Sequence, residues 1–256
     1  MLSEKLESLL AEYGAKGAFA IRNMKSGEKI SYNSSRIVPS ASLIKLFILV
    51  HAFELIRDNK QNLSDLIMVK SDDVVDFSVL TFLKPREYEL EELLRLMVVY
   101  SDNTATNVLI DYFGMEEINE TIRRTGCDNS VLARKMMDFD AAKEGRQNYT
   151  TADDMFGMMI RLYEGNLLGR EYDDAMLEIM KGQADEEMMR RYIPDEITIA
   201  RKSGELDALN HDVAVVYTEK LDYIFVFFSW DGGTCNNTRE LVGRASELVY
   251  NDFMAD

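Results

Sequence analysis

Histidine and cysteine are scarce in this chain, two of each among 256 residues. Cys127 and Cys235 lie far apart and suit neither a metal site nor a disulfide framework, so both are expected as free, structural thiols. No metal and no cofactor is expected. A cysteine hydrolase would have only His51 and His211 to draw on as a base. Proline is nearly missing too, at three residues, and nothing is repeated or low in complexity, so no segment reads as a flexible tether between domains. Positive charge is short: 29 Lys and Arg against 45 Asp and Glu leave a net charge of −16. A phosphate backbone or an anionic membrane surface needs clustered cations, so neither is an expected partner. No apolar run approaches transmembrane length. Residues 1–13 place Leu2, Leu6, Leu9, Leu10 and Tyr13 at helical spacing with Glu4 and Glu7 between them. That is an amphipathic helix rather than a signal peptide, which predicts a cytoplasmic protein, or an extracytoplasmic one if a leader has been removed.

What is present is an ordinary globular composition, 46% hydrophobic, enough for one large domain or two interleaved lobes. Residues 17–24 and 28–33 read as a hairpin turned at Lys25-Ser26-Gly27. Residues 40–58 read as a helix apolar on most faces, the mark of a buried one. Five more polar helical segments cover 90–100, 104–112, 115–125, 151–164 and 173–181. Three β-rich runs follow at 197–202, 213–218 and 223–230, and a helix over 239–253 closes the chain. Strands at both ends with helices between them predict an α/β (α+β) fold: an antiparallel sheet built from both termini and flanked by helices, with an inserted all-helical lobe. The α/β lobe takes about 1–38 and 190–256 and the helical lobe about 39–189 of one domain spanning 1–256.

Three short motifs stand in order along this frame: Ser42-Leu43-Ile44-Lys45, Ser101-Asp102-Asn103 and Lys202-Ser203-Gly204. An S-x-x-K occurs about once by chance in a chain of this size at average residue usage, so the first alone says little. The S-D-N triplet is far rarer, and the third motif falls in a strand-like segment. On a helix, Ser42 and Lys45 stand three positions apart and share a face. A serine hydroxyl is a weak nucleophile until a base takes its proton. Lysine is such a base only when burial and neighbouring cations lower its pKa; the apolar Leu43, Ile44, Leu46 and Phe47, together with Lys202, are placed to do this. His51, nine residues beyond Ser42, falls roughly opposite it on an ideal helix and reads as a packing residue. His211 follows the third motif and is either a structural residue, the favoured reading, or a ligand contact.

Together the three motifs resemble those of the class A β-lactamases, and more broadly the β-lactamase and penicillin-binding-protein superfamily. Pro39-Ser40-Ala41-Ser42-Leu43-Ile44-Lys45-Leu46-Phe47 is similar to the family's nucleophile helix. Tyr100-Ser101-Asp102-Asn103-Thr104-Ala105-Thr106-Asn107 resembles its S-D-N loop and the helix after it, and Arg201-Lys202-Ser203-Gly204-Glu205 the inner edge of its sheet. Order and spacing are kept over nearly the whole chain. The resemblance implies Ser42 as nucleophile, Lys45 as general base, and Ser101 as proton relay to the leaving nitrogen. It implies that Asn103 holds the acyl amide and that Lys202 and Ser203 bind a substrate carboxylate. Gly204 permits close backbone approach, and the amides of Ser42 and Glu205 form the oxyanion hole. Asp102 reads as a local structural carboxylate, and Arg201, next to Lys202 on a strand, should point the other way. Family members usually act outside the cytoplasmic membrane, so the missing export signal is a departure.

The larger departure lies after Leu132-Ala133-Arg134. Class A enzymes carry an E-x-x-x-N loop there whose glutamate activates the deacylating water. Here the glutamate position is Met136 and the asparagine position Asp140. A methionine cannot take a proton from water. Asp138 and Asp140 are either substitutes or ordinary loop acids, and Met136, Met137 and Phe139 read as core packing. The favoured expectation is a monomeric serine hydrolase acting on a β-lactam or related amide or ester, with slow deacylation. The alternatives are a DD-peptidase- or esterase-like enzyme on another substrate, and a penicillin-binding or sensing module that acylates once.

Overall fold

The structure is a computed structural model in which residues 1–255 are described. Leu2, Leu6 and Leu10 are buried at helical spacing and form the inner stripe of α1 (Leu2–Glu12). β1 (Lys16–Asn23) and β2 (Lys29–Tyr32) pair as a hairpin, Phe19 opposite Tyr32 and Arg22 opposite Lys29. The chain then leaves the sheet through β3 (Val38–Pro39), a 3₁₀ turn over Ala41–Ile44, and α2 (Lys45–Arg57). A small hairpin of β4 (Leu66–Val69) and β5 (Arg86–Glu89) precedes α3 (Leu90–Val99), α4 (Asn103–Phe113) and α5 (Met115–Arg124). α6 (Phe139–Lys143), β6 (Tyr149–Thr150), α7 (Ala152–Glu164) and α8 (Arg170–Lys181) complete the excursion. β7 (Thr198–Leu206), β8 (Leu209–Tyr217) and β9 (Tyr223–Trp230) return to the sheet, and α9 (Cys235–Met254) ends the chain.

The main sheet runs β2-β1-β9-β8-β7, every neighbouring pair antiparallel, so the two termini do build one sheet. Alternation along its strands feeds two cores. Phe19, Ile21, Phe225, Phe227, Ala214 and Val216 pack against α1 and α9, with Phe19 stacked on Phe227 at 6.1 Å between ring centres. Ala18, Ala20, Val226, Phe228, Val213 and Val215 face the other way, into a larger core shared with α2, α3, α4, α7 and α8. Because both faces are covered, β9 is apolar without a break from Tyr223 to Phe228, and each phenylalanine buried there contributes roughly 1.5–3 kcal/mol. Residues 45–53 of α2 are all buried, as an all-round apolar helix requires.

The architecture is mixed α/β, as the periodicity indicates, and the differences are instructive. Sequence patterning ends the seventh strand at Lys202 and starts the eighth at Val213. The observed strands run on to Leu206 and back from Leu209, turning at Asp207 and Ala208. Ser203, Gly204, Glu205 and Asn210 are poor strand formers, and cross-strand pairing overrides their propensity. The closing helix begins at Cys235, four residues earlier than its apolar stripe suggests, because Thr234 caps it through Asn237 N–H at 3.2 Å.

Candidate active site

Ser42 sits in the 3₁₀ turn that feeds α2, after Ala41, which is held at φ 47°. For a residue with a Cβ that is a left-handed, costly conformation, of the kind found where a side chain must be aimed. The turn is anchored from behind by Ser40 N–H, which donates to Asn148 O at 2.8 Å. From the front it meets β7: a Cβ on Gly204 would stand 3.2 Å from Ser42 N and 3.2 Å from Ala41 Cβ. The glycine therefore serves close approach of the strand to the turn, not an unusual φ.

Lys45 opens α2 and is wholly buried. Its Nζ lies 2.5 Å from Ser101 O, 2.9 Å from Asn103 Oδ1 and 3.1 Å from Ser101 Oγ. Lys202, equally buried on β7, donates to Ser101 Oγ at 3.0 Å and Ser203 O at 2.7 Å. The Ser101 hydroxyl thus lies between two lysines. Burial, then the Lys202 ammonium, hold the Lys45 amine well below the usual lysine range, against a weaker opposing pull from Asp102. Burial also brings Lys202 down to about 7, although the Asp185 and Asp212 charges favour its ammonium. Lys45 thus donates to Ser101 O, Asn103 Oδ1 and Ser101 Oγ, and the same Ser101 oxygen accepts from Lys202. No hydrogen bond joins Lys45 to Ser42 among the described residues.

Ser101 is itself left-handed, at φ 54°. Asp102 holds it there, because its carboxylate accepts from Ala105 N–H at 2.8 Å as the cap of α4, and from Val79 N–H at 2.6 Å and Ser78 Oγ at 2.9 Å. That is the structural role its sequence position suggests. Arg201 points away from the cleft, as strand alternation requires, and pairs with Asp212 at 2.8 Å with both groups buried. Burial pushes the Asp212 carboxyl up to about 7 despite the guanidinium beside it.

Ser42, Ser101, Asn103, Ser203 and Glu205 all line one cleft of about 1000 Å³, with Lys45 and Lys202 beneath its floor. The Glu205 side chain is tied into a two-pronged ion pair with Arg239, at 2.6 and 2.7 Å, which leaves the backbone as its means of acting on a ligand. Neither histidine reaches the cleft lining. His51 bonds Thr121 Oγ1 through Nδ1 at 2.7 Å and meets Phe113 edge-on. His211 is buried, stacked on Phe228, with Nε2 3.0 Å from Pro39 O, and burial lowers its pKa to about 4.

The loop after Arg134 carries Met136 to the cleft wall with its side chain mostly buried. Asn107 fixes it from both sides, accepting from Met136 N–H at 2.8 Å and donating to Met136 O at 3.0 Å. Asp138 caps α6 through Ala141 N–H at 2.9 Å, and Asp140 pairs with Lys143 at the surface; neither lines the cleft. Phe139 departs from the core-packing expectation: it is exposed and lines the cleft. Sequence reasoning also passes over Phe77, Phe82 and Tyr100, exposed in the lining of the same cleft, and the Asn107 clamp. No set of three or more His, Cys, Asp or Glu side chains is grouped to hold a metal ion among the described residues, and no helix there is long and apolar enough to cross a membrane.

Comparison with known proteins bears on the fold and the family. Beta-lactamase BRO-1 of Moraxella catarrhalis is 24% identical over 98% of this chain and 85% of its own length. A beta-lactamase from Sphaerobacter thermophilus superposes with a TM-score of 0.91 at 25% identity, covering 98% of this chain and 96% of that one. A leucine-to-glutamate mutant of PBP-A, in acyl-enzyme complex with penicillin G, superposes with a TM-score of 0.89 at 25% identity and the same coverage. Since the model of the beta-lactamase enzyme family matches residues 1–253 as well, the chain belongs to that family.

Proposed function

We propose that this protein is a β-lactamase-type serine hydrolase that is acylated at Ser42 by β-lactams or related amides and esters and releases the acyl group slowly. The observation that carries the reading is the buried pair of lysines bracketing Ser101 beside Ser42. Burial and the Lys202 ammonium beside it favour the free-amine form of Lys45, the form that can act as a base. Ser42 Oγ attacks the carbonyl carbon while Lys45, turning from Ser101, takes the hydroxyl proton. The oxyanion falls to the Ser42 and Glu205 amides. The carbon–nitrogen bond breaks as Ser101 passes its proton to the nitrogen and recovers one from the Lys45 ammonium. Lys202, still partly cationic near neutrality, and Ser203 hold the substrate carboxylate, and Asn103 the acyl amide.

Deacylation lacks a base in its usual place. The Met136 thioether takes no proton, and Asp138 and Asp140 lie outside the cleft lining. That same lack keeps two other readings in view, a peptidase or esterase of another substrate and a module that acylates once. Intact-mass spectrometry with a penicillin over time separates all three. A Ser42 adduct should form within minutes and decay slowly, and Ser42→Ala should show none. Labelling of the alanine variant at another residue would remove Ser42 from its role. Ready esterase or peptidase turnover without a penicillin adduct would favour the second reading, and an adduct that never leaves the third.

A further inference from the structure

Left-handed backbone is not scattered through this molecule. Among the described residues, eight other than glycine have positive φ. Ala41, Phe77, Ser101 and Met137 line the Ser42 cleft. Three of the other four, Asn33 at 48°, Ala208 at 50° and Asp231 at 58°, line a second cavity. Such conformations persist where the surroundings over-determine them, and they gather at sites that hold ligands. Here the surroundings do fix two of them: Asn33 Nδ2 donates to Gly17 O at 3.2 Å, and Asp231 pairs with Lys16 at 2.9 Å. The second cavity is bounded by α1, the segment from β2 to β3, the β7–β8 turn and the end of β9. Its volume, about 780 Å³, is that of a small-molecule site.

The lining is of two kinds. Leu10, Ile37 and the half-buried Trp230, the one tryptophan of the chain, give it an apolar surface. With Lys16 and Asp231 engaged on each other, its remaining charges are one cation, Arg36, and two anions, Glu7 and Asp207. None of the three has an ion-pair partner among the described residues. Glu7 accepts from Ser3 Oγ at 3.0 Å, and the side chains of Arg36 and Asp207 make no hydrogen bond there. In a chain with a net charge of −16, a guanidinium left unpaired at a cavity is a place for a carboxylate. A simple anion would also meet Glu7 and Asp207, so the ligand that suits all three carries a positive end as well. Asp207 borders the Ser42 cleft too, whereas Arg36 and Trp230 line the second cavity and not the cleft.

We infer that this cavity is a second small-molecule site, separate from the acylation cleft, that takes a zwitterion with an apolar body, the chemistry of a free amino acid or a dipeptide. Arg36 receives the carboxylate, Glu7 and Asp207 the ammonium, and Leu10, Ile37 and Trp230 the apolar part. None of the groups assigned to acylation takes part, so the inference stands apart from that reading.

The test uses the fluorescence of Trp230 in the full chain, which needs no label because there is no second tryptophan. Leucine and leucyl-leucine are titrated separately; saturable binding of either supports the site, and the tighter of the two names the source that fits. N-acetylleucine lacks the ammonium and leucinamide the carboxylate. Each should bind at least about tenfold more weakly than leucine, the worth of one hydrogen bond to a charged group. Arg36→Gln, a change at an exposed position, should erase the preference for leucine over leucinamide, and Ser42→Ala should leave every affinity as it was. If the tryptophan signal does not change, ligand-observed NMR with the same compounds supplies the affinities. No saturable binding of either zwitterion by both methods would overturn the inference. So would singly charged analogues that bind as tightly, an unchanged preference in Arg36→Gln, or loss of binding in Ser42→Ala.

Discussion

Lys45 and Lys202 are two buried amines sharing one serine hydroxyl, and their protonation states depend on each other. The acylation proposed above uses Lys45 as the free amine and Lys202 as the ammonium. Below the lowered pKa of Lys45 the base is protonated and the rate falls. Above about 7 Lys202 loses its proton, the carboxylate loses its partner, and the rate falls again. A bell-shaped kcat/KM for acylation is therefore expected, with its alkaline limb near that value in the free enzyme. Lys202→Arg should move the alkaline limb up beyond reach, because a guanidinium stays charged. An alkaline limb unmoved in that variant would assign it to another group. Lys45→Met should slow acylation by about 10²–10⁴ while weakening non-covalent binding much less, since it removes the proton acceptor and leaves the cleft lining intact. Acylation at the unmodified rate would require a different base.

At the scale of elements, the site depends on β7 lying against the turn that carries Ser42. Gly204 is where they meet, and a valine there would force its side chain within contact of Ser42 N, Ala41 Cβ and Leu43 Cγ, at 3.2 to 3.3 Å for the Cβ alone. Gly204→Val should push strand and turn apart, lowering acylation by about 10²–10³, the worth of one oxyanion donor. Overpacking should add about 1–3 kcal/mol of destabilisation. Acylation kinetics and thermal melting measure the two effects, and a variant with normal acylation would deny the strand its part. This contact also marks a limit of the sequence. Helix and strand periodicities are legible because apolar faces repeat, and β1, β9 and α2 follow from them directly. The strand under Ser203, Gly204 and Glu205 is not, because pairing with β8 rather than residue preference makes it. The exposed aromatic residues in the cleft lining are less legible still: an exposed phenylalanine reads like a core one, and no local signal announces the left-handed backbone of Phe77. That the motif residues lie together was available only through the family resemblance, since residues 42, 101 and 203 are brought into one cleft by the fold alone.

Across the whole molecule, four distant segments converge on that cleft: the turn before α2, the start of α4, the edge of β7 and the loop around Met136. Three carry the groups that the proposed acylation uses, and the fourth presents Met136, a side chain that takes no proton. Because Asn107 grips the Met136 backbone on both sides, a new side chain at this position inherits a fixed place on the cleft wall. Met136→Glu should therefore set a carboxylate where a water attacking the acyl-enzyme can be activated, and decay of a preformed penicillin adduct should accelerate. The gain should depend on pH. Largely buried where the thioether was, the new carboxyl will have its pKa raised, remaining neutral and inert below that value and becoming a base only above it. Decay of the isolated adduct, followed by mass against pH, should thus be flat and slow for the unmodified protein and rise with pH for the variant. Rapid multiple turnover by the unmodified protein, with no burst and no trapped adduct, would refute the role given to Met136 and return the search for a deacylation base to Asp138, Asp140 or Lys45.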